Sequence, residues 1–179
     1  MKNIAVSLVV LLLAACASTP NKQPVPVVES SKPISASPQS TSTSSTANAA
    51  DIESRRLAAK RLAAEIQNLQ KQSVYFDFDK SELKPEYRNV IQQQANFLNA
   101  HRNDLVTVEG NCDERGSDEY NLALGDKRAN TALKSLELLG VLPTQIKTVS
   151  FGNAKPRMTC HEEKCWKENR RDDFNHKLN

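Results

Sequence analysis

Residues 106–128 read VTVEGNCDERGSDEYNLALGDKR, and a change of period inside this stretch decides the fold. Val106 and Val108 alternate with Thr107 and Glu109, the two-residue period of a strand with one buried face. After Gly110 the alternation breaks into a polar turn. Ser117 then stands at an N-cap position, and Asp118 and Glu119 favour the positive end of a helix dipole. Leu122, Ala129, Leu133 and Leu136 fall on one helical face, assigned to the core, and Gly140 suits the C′ position that ends the helix. A strand running straight into a long helix predicts helices packed on a sheet.

The flanking chain extends the pattern in both directions. Val74, Phe76 and Phe78 alternate with Tyr75, Asp77 and Asp79, which predicts a first strand over residues 74–79 with three aromatic or aliphatic side chains turned inward. Pro85 suits the first turn of a helix running to about residue 100, with Val90, Ile91, Phe97 and Leu98 as core candidates. Residues 148–151 read as a third strand, 162–170 as a short helix, and the surroundings of Phe174 as a weak last strand. The order β-α-β-α-β-α-β defines an α/β (α+β) sandwich with helices on a small mixed sheet, its last strand antiparallel.

The N-terminal third has a different composition. Residues 1–15 carry Lys2 and then an apolar run too short to span a bilayer as a helix, so they read as a cleaved signal peptide. Residues 16–50 are rich in Ser, Thr, Pro and Ala; they cannot bury enough apolar surface to offset ordering and are expected to form a disordered tether. Residues 51–72 open on Asp51, lack Gly and Pro, and repeat Leu62, Ile66 and Leu69 at helical spacing, which predicts a helical spacer. A solvated spacer, a helix docked on the domain and a partner-binding helix all remain open. Residues 73–179 form the single domain. The net charge of +3 comes from interleaved acids and bases. Without a basic stripe, nucleic acid is not a partner suggested by the sequence.

Asp113 sits where the second strand ends, and Arg128 lies fifteen residues further along, on the helix. Arginine presents a planar fork that fits a carboxylate, and aspartate accepts hydrogen bonds from an ammonium group. If the two border one groove, they match the two charges of an amino-acid ligand; an internal salt bridge is the simpler alternative. Asn121 and Leu124 share an exposed helical face with Arg128, adding a donor/acceptor and an apolar wall. The histidines are His101, His161 and His176, none near Cys112 in sequence. No nucleophile–base pair is evident, so no catalytic residue, cofactor or metal is assigned and the chain reads as a non-enzyme.

VYFDFDKSEL, VEGNCDERGSDEYNLALGDKRAN, VSFGNAKP and KENRR occur in the order and spacing of the OmpA-like peptidoglycan-binding domain, which the chain resembles over residues 73–171. The resemblance implies that Asp113 and Arg128 bind the diaminopimelate of the peptidoglycan peptide stem, with Phe78, Asp79, Asn121 and Leu124 lining the same pocket. Leu13-Ala14-Ala15-Cys16 resembles the lipobox of bacterial lipoproteins, which implies an acylated Cys16, and Ala17 after it implies the outer membrane, with the domain facing the periplasm. Several acyl chains make a stable anchor. The implied role is a tether between outer membrane and cell wall, with the Tol system, through TolB, as protein partner. A scaffold acting mainly through envelope proteins is the alternative.

Three features depart from that family. Cys112 stands where a small residue is usual. Cys160 and Cys165 bracket a short segment; a metal site would need further ligands, with His176 the candidate, whereas an oxidising periplasm favours a disulfide. Helical residues five apart lie about 8–9 Å apart, beyond disulfide reach, so Cys160 is placed in the loop ahead of the helix. Finally, residues 172–178 are polar, with only Phe174 and Leu178 alternating inward, which predicts a short or frayed edge strand.

Overall fold

The computed structural model describes residues 44–178. The predicted signal peptide, Cys16 and the tether as far as residue 43 lie outside the described residues. Helix α1 spans Ser44–Gln70, so it begins ahead of Asp51 and takes the end of the expected tether into the helix. Strand β1 (Ser73–Tyr75) follows, then a 3-10 turn (Pro85–Tyr87) opening into α2 (Arg88–Ala100). Next come β2 (Asp104–Asn111), α3 (Asp118–Leu138), β3 (Ile146–Gly152), α4 (Glu163–Asn169) and β4 (Arg171–Leu178).

The four strands form one mixed sheet in the order β1-β4-β2-β3. β2 and β3 are parallel, joined across α3, and β4 runs antiparallel to both β1 and β2. The sheet's inner face supplies Val74, Val106, Val108, Ile146 and Phe174; α2 and α3 supply Ile91, Ala95, Leu98, Ala129, Ala132 and Leu136. Burying each large aliphatic side chain contributes about 1.5–3 kcal/mol.

Local chemistry ends the helices as the sequence requires. Ser117 Oγ accepts from the Tyr120 N–H at the start of α3. At its other end Gly140 adopts φ +87°, its N–H donating to Glu137 O and the Val141 N–H to Leu136 O, the paired bonds of a Schellman turn. The orphan carbonyls after α2 are met by Gln145, whose Nε2 donates to Leu98, His101 and Asp104 O at 3.0–3.1 Å.

The last strand differs most from expectation. It is neither short nor at an edge: β4 has eight residues and pairs on both sides. Its inward positions are Asp172, Phe174 and His176, all buried, whereas Leu178 is partly exposed. His176 Nδ1 lies 2.6 Å from Asp104 Oδ2 and Nε2 2.7 Å from Gln94 Oε1, so a polar side chain fills an apolar register because β2 and α2 supply its partners. Gln94 Nε2 also donates to Leu69 O, and Gln70 Nε2 to His176 O. These bonds and the burial of Leu69 dock the end of α1 on the domain.

Two apolar assignments also change. β1 stops at Tyr75, and Phe78, expected inside, is 56% exposed because the chain has left the sheet. Leu122, assigned to the core face of α3, is 53% exposed; the buried stripe runs through Asn121, Gly125, Arg128, Ala129, Ala132 and Leu136 instead.

That stripe rests on a backbone-to-backbone approach. A Cβ on Gly110 would lie 2.0 Å from Gly125 O, so α3 meets β2 without intervening side chains. Gly110→Ala is expected to destabilise the domain by about 3 kcal/mol, since neither backbone can yield cheaply. A wild-type urea midpoint for this variant would contradict the contact.

Candidate functional site

The close approach of α3 to β2 sets the first turns of α3 beside the end of β2 and the loop after β1. Between them is a cleft of about 240 Å³. Asp113, Arg128, Phe78, Asp79, Asn121 and Leu124, the six residues singled out in the sequence, all line it. So do Cys112, Arg115, Gly116, Tyr120 and Arg170.

Asp113 and Arg128 are not paired with each other. Asp113 is buried and held by Arg115, whose Nε donates to Oδ1 at 3.1 Å and Nη2 to Oδ2 at 2.7 Å, with the Arg115 backbone N–H on Oδ1. Arg170 Nη1 adds a bond to Oδ2 at 3.1 Å. Burial acts to raise the carboxyl pKa, but the bonds from Arg115 and Arg170 outweigh it, and the net shift is downward. The carboxylate therefore stays charged, flanked by two cations.

Arg128 was expected on an exposed face, yet it is fully buried, as is Asn121 beside it. Its Nε donates to Lys80 O and its Nη1 to Asn111 O, both at 2.8 Å, and its Nη2 to Asp77 O at 3.2 Å. Nη1 also reaches Cys112 Sγ at 3.3 Å, and the guanidinium lies 5.0 Å from the centre of the Phe76 ring. Burial is the main influence on Arg128 and lowers its pKa, but an arginine this well hydrogen-bonded remains a cation. It forms the charged back wall of the cleft rather than a mobile jaw.

Cys112 is a small buried wall residue. Its thiol donates to Asn121 O at 3.3 Å. Burial pushes its pKa up to about 11, so it stays protonated and unreactive at neutral pH. Across the mouth, Asp79 adopts φ +58°, a left-handed conformation that aspartate tolerates better than most residues, and its carboxylate accepts from the Tyr120 hydroxyl.

Beside Arg115 lie α4 and the loop before it. Cys160 and Cys165 are disulfide-bonded with Cα atoms 5.7 Å apart, Cys160 lying ahead of the helix. His176, the candidate metal ligand, is instead engaged with Asp104 and Gln94. The Arg115 guanidinium lies over the rings of both Phe78 (4.0 Å) and Trp166 (4.1 Å). Trp166 Nε1 donates to Glu114 Oε1 at 2.8 Å, and His161 Nδ1 lies 2.7 Å from Glu114 Oε2. Those two contacts lower the Glu114 pKa, Trp166 first.

Sequence reasoning passed over Arg115, Tyr120 and Arg170. Arg115 carried a usable signal, since a cation two residues beyond an acid in a turn can fold back on it. Arg170 stood only within the KENRR motif, and Trp166 carried no signal, because only the tertiary fold brings them to Asp113 and Arg115.

Residues 75–170 match the model of the OmpA family, and the chain belongs to that family. Its similar relatives are peptidoglycan-associated lipoproteins. That of Pasteurella multocida is 44% identical over 108 residues, 59% of this chain and 72% of the relative. That of Pseudomonas putida is 45% identical over 97 residues, 54% of this chain and 58% of the relative. The crystal structure of the peptidoglycan-associated lipoprotein from Burkholderia pseudomallei superposes with a TM-score of 0.59 at 45% identity, covering 60% of this chain and 91% of that one.

Asp172 lies on β4, within electrostatic reach of Arg128. It is fully buried, and neither carboxylate oxygen has a hydrogen-bond partner among the described residues. Burial raises its pKa well above the ordinary 3.8, against the pull of Arg128. The folded state thus binds a proton more tightly than the unfolded chain, and stability falls as pH rises from 3.8 through the raised folded pKa. Asp113 has the opposite sign, its contribution being lost as pH falls through its lowered pKa. Asp172→Asn should therefore flatten the decline in stability as pH rises from 3.8 to neutral. Urea unfolding at both ends of that range measures it, and an unchanged slope would show that Asp172 is not the group responsible.

Proposed function

We propose that the chain is a non-enzymatic peptidoglycan-binding protein whose cleft takes the diaminopimelate of the peptide stem. The observation that carries the reading is the cleft itself: one buried carboxylate and three guanidinium groups converge on a volume suited to a small zwitterion. Asp113 supplies the negative charge that draws the ligand's ammonium group, and the surrounding arginines supply the field that attracts its carboxylate. Phe78 and Leu124 offer apolar contact for the methylene chain, while Asn121 Nδ2 is already committed to Arg115 O at 3.0 Å and braces the turn. The family membership and the printed names of the relatives support the same reading.

In this reading Cys16 is the lipid-bearing residue that anchors the chain in the outer membrane, and the domain reaches the wall across the periplasm. Moderate affinity per site suffices, because anchoring raises the local concentration of wall. The Tol system, through TolB, is the protein partner this assignment brings with it. The scaffold alternative places the main role on envelope proteins instead of the wall.

Asp113→Asn separates these. It keeps the shape of the side chain and removes its charge. Replacing Arg128 is a poorer test, since three backbone carbonyls would lose their donor. Sedimentation of Asp113→Asn with purified peptidoglycan should fall by more than about tenfold, since one member of a buried charged cluster is neutralised. Wild-type sedimentation by this variant, with its fold confirmed by circular dichroism, would reject the site.

A further inference from the structure

The segment from Cys160 to Trp166 contains none of the residues that line the cleft, yet it holds two of them: Trp166 and Glu163 contact Arg115, and Glu163 accepts from Arg170. We propose that Trp166, presented by the Cys160–Cys165 link, is a positioning residue that fixes Arg115 over the cleft and thereby sets the affinity for the peptide stem. The inference rests on the functional reading above and adds a determinant to it.

Arg115 is the cation most exposed to disorder in this cleft. Its long side chain leaves the turn between β2 and α3, and unlike Arg128 it has no backbone carbonyl partner recorded among the described residues. A free arginine of this kind loses much rotamer freedom on fixing, which ordinarily weakens its contribution to binding. Here it is fixed beforehand. The guanidinium carbon lies 4.0 Å from the centre of the Phe78 ring and 4.1 Å from that of Trp166, both within the range of a cation–π contact. Nε and Nη2 are spent on Asp113; Nη1 has no hydrogen bond recorded among the described residues, leaving donors beside the cleft for a ligand carboxylate.

Trp166 is itself held from two sides. α4 has only seven residues, too few to be stable alone. The disulfide closes it onto the preceding loop. Asn169 clamps the same loop, its Oδ1 accepting from the N–H groups of Arg157 and Met158 and its Nδ2 donating to Met158 O. In front, the indole N–H donates to Glu114, the residue between Asp113 and Arg115. Trp166 thus contacts both residues that follow Asp113, and Glu163 of the same segment accepts from Arg170, which also bonds Asp113.

Trp166 is the only tryptophan in the chain, so its emission reports on this contact directly. The full domain is titrated with the tripeptide L-Ala-γ-D-Glu-meso-diaminopimelate, following both tryptophan fluorescence and calorimetric binding. The wild type should bind with a saturable change in emission. Trp166→Leu, which keeps bulk but removes the aromatic face, should bind roughly tenfold more weakly, and Trp166→Phe, which restores the face, within about threefold of wild type. Cys160→Ser combined with Cys165→Ser should weaken binding as Trp166→Leu does. Wild-type affinity for Trp166→Leu overturns the inference, as do Leu and Phe variants that are equally weak, which would mark a purely structural role. Failure of the wild type to bind the tripeptide overturns the functional reading instead, and that outcome is distinct from the others.

Discussion

A buried guanidinium with nowhere to go but backbone carbonyls is the constraint on which this domain's cleft depends. Arg128 sits in the middle of α3 at 0% exposure, where an unpartnered charge would be prohibitive. It is tolerated because Asp77, Lys80 and Asn111 each turn a carbonyl toward it. The same bonds tie the loop after β1 and the end of β2 to the helix. A residue that looks like part of a binding site is also the joint between three segments, and the cleft is shaped before any ligand arrives.

The acid of the cleft is prepared differently. Asp113 is held mainly by side chains, with one backbone N–H from its own turn, and its two arginine partners are Arg115 of that turn and Arg170 at the end of α4. One charge in the cleft is therefore locked by the main chain, and the other is poised within a network whose outer member, Arg115, is partly exposed. The first arrangement gives shape and the second gives electrostatic tuning. The two together suit a ligand that carries both signs of charge.

How much of this was legible in the sequence depended on range. The strand–turn–helix at residues 106–128 could be read because alternation, N-cap and C′ glycine are local signals. Asp113, Asn121, Leu124 and Arg128 could be placed together because they lie on that unit, whereas Phe78 and Asp79 were joined to them only through the family resemblance. What misled was periodicity continued past its physical end: Phe78 kept the alternation of β1 after the strand had stopped, and Leu122 kept the helical period on a face that meets water. β4 was underestimated for the converse reason. Its buried Asp172 and His176 look unfit for an inner strand until Asp104 and Gln94, far away in sequence, supply partners for the histidine. Arg170 and Trp166 joined the cleft through tertiary contacts that no sequence window contains.

The interior position of β4 also governs when the domain can exist. Among the described residues β1 has no sheet partner except β4, which is synthesised after every other strand of the sheet. Until residues 171–178 are available, β1 has no ladder to join and the inner face lacks Phe174. Closure thus pairs the two ends of the domain, a long-range contact of the kind that slows folding. Without β4 the sheet is reduced to the parallel β2–β3 pair, and β1 waits unpaired until the C-terminal strand arrives to join it.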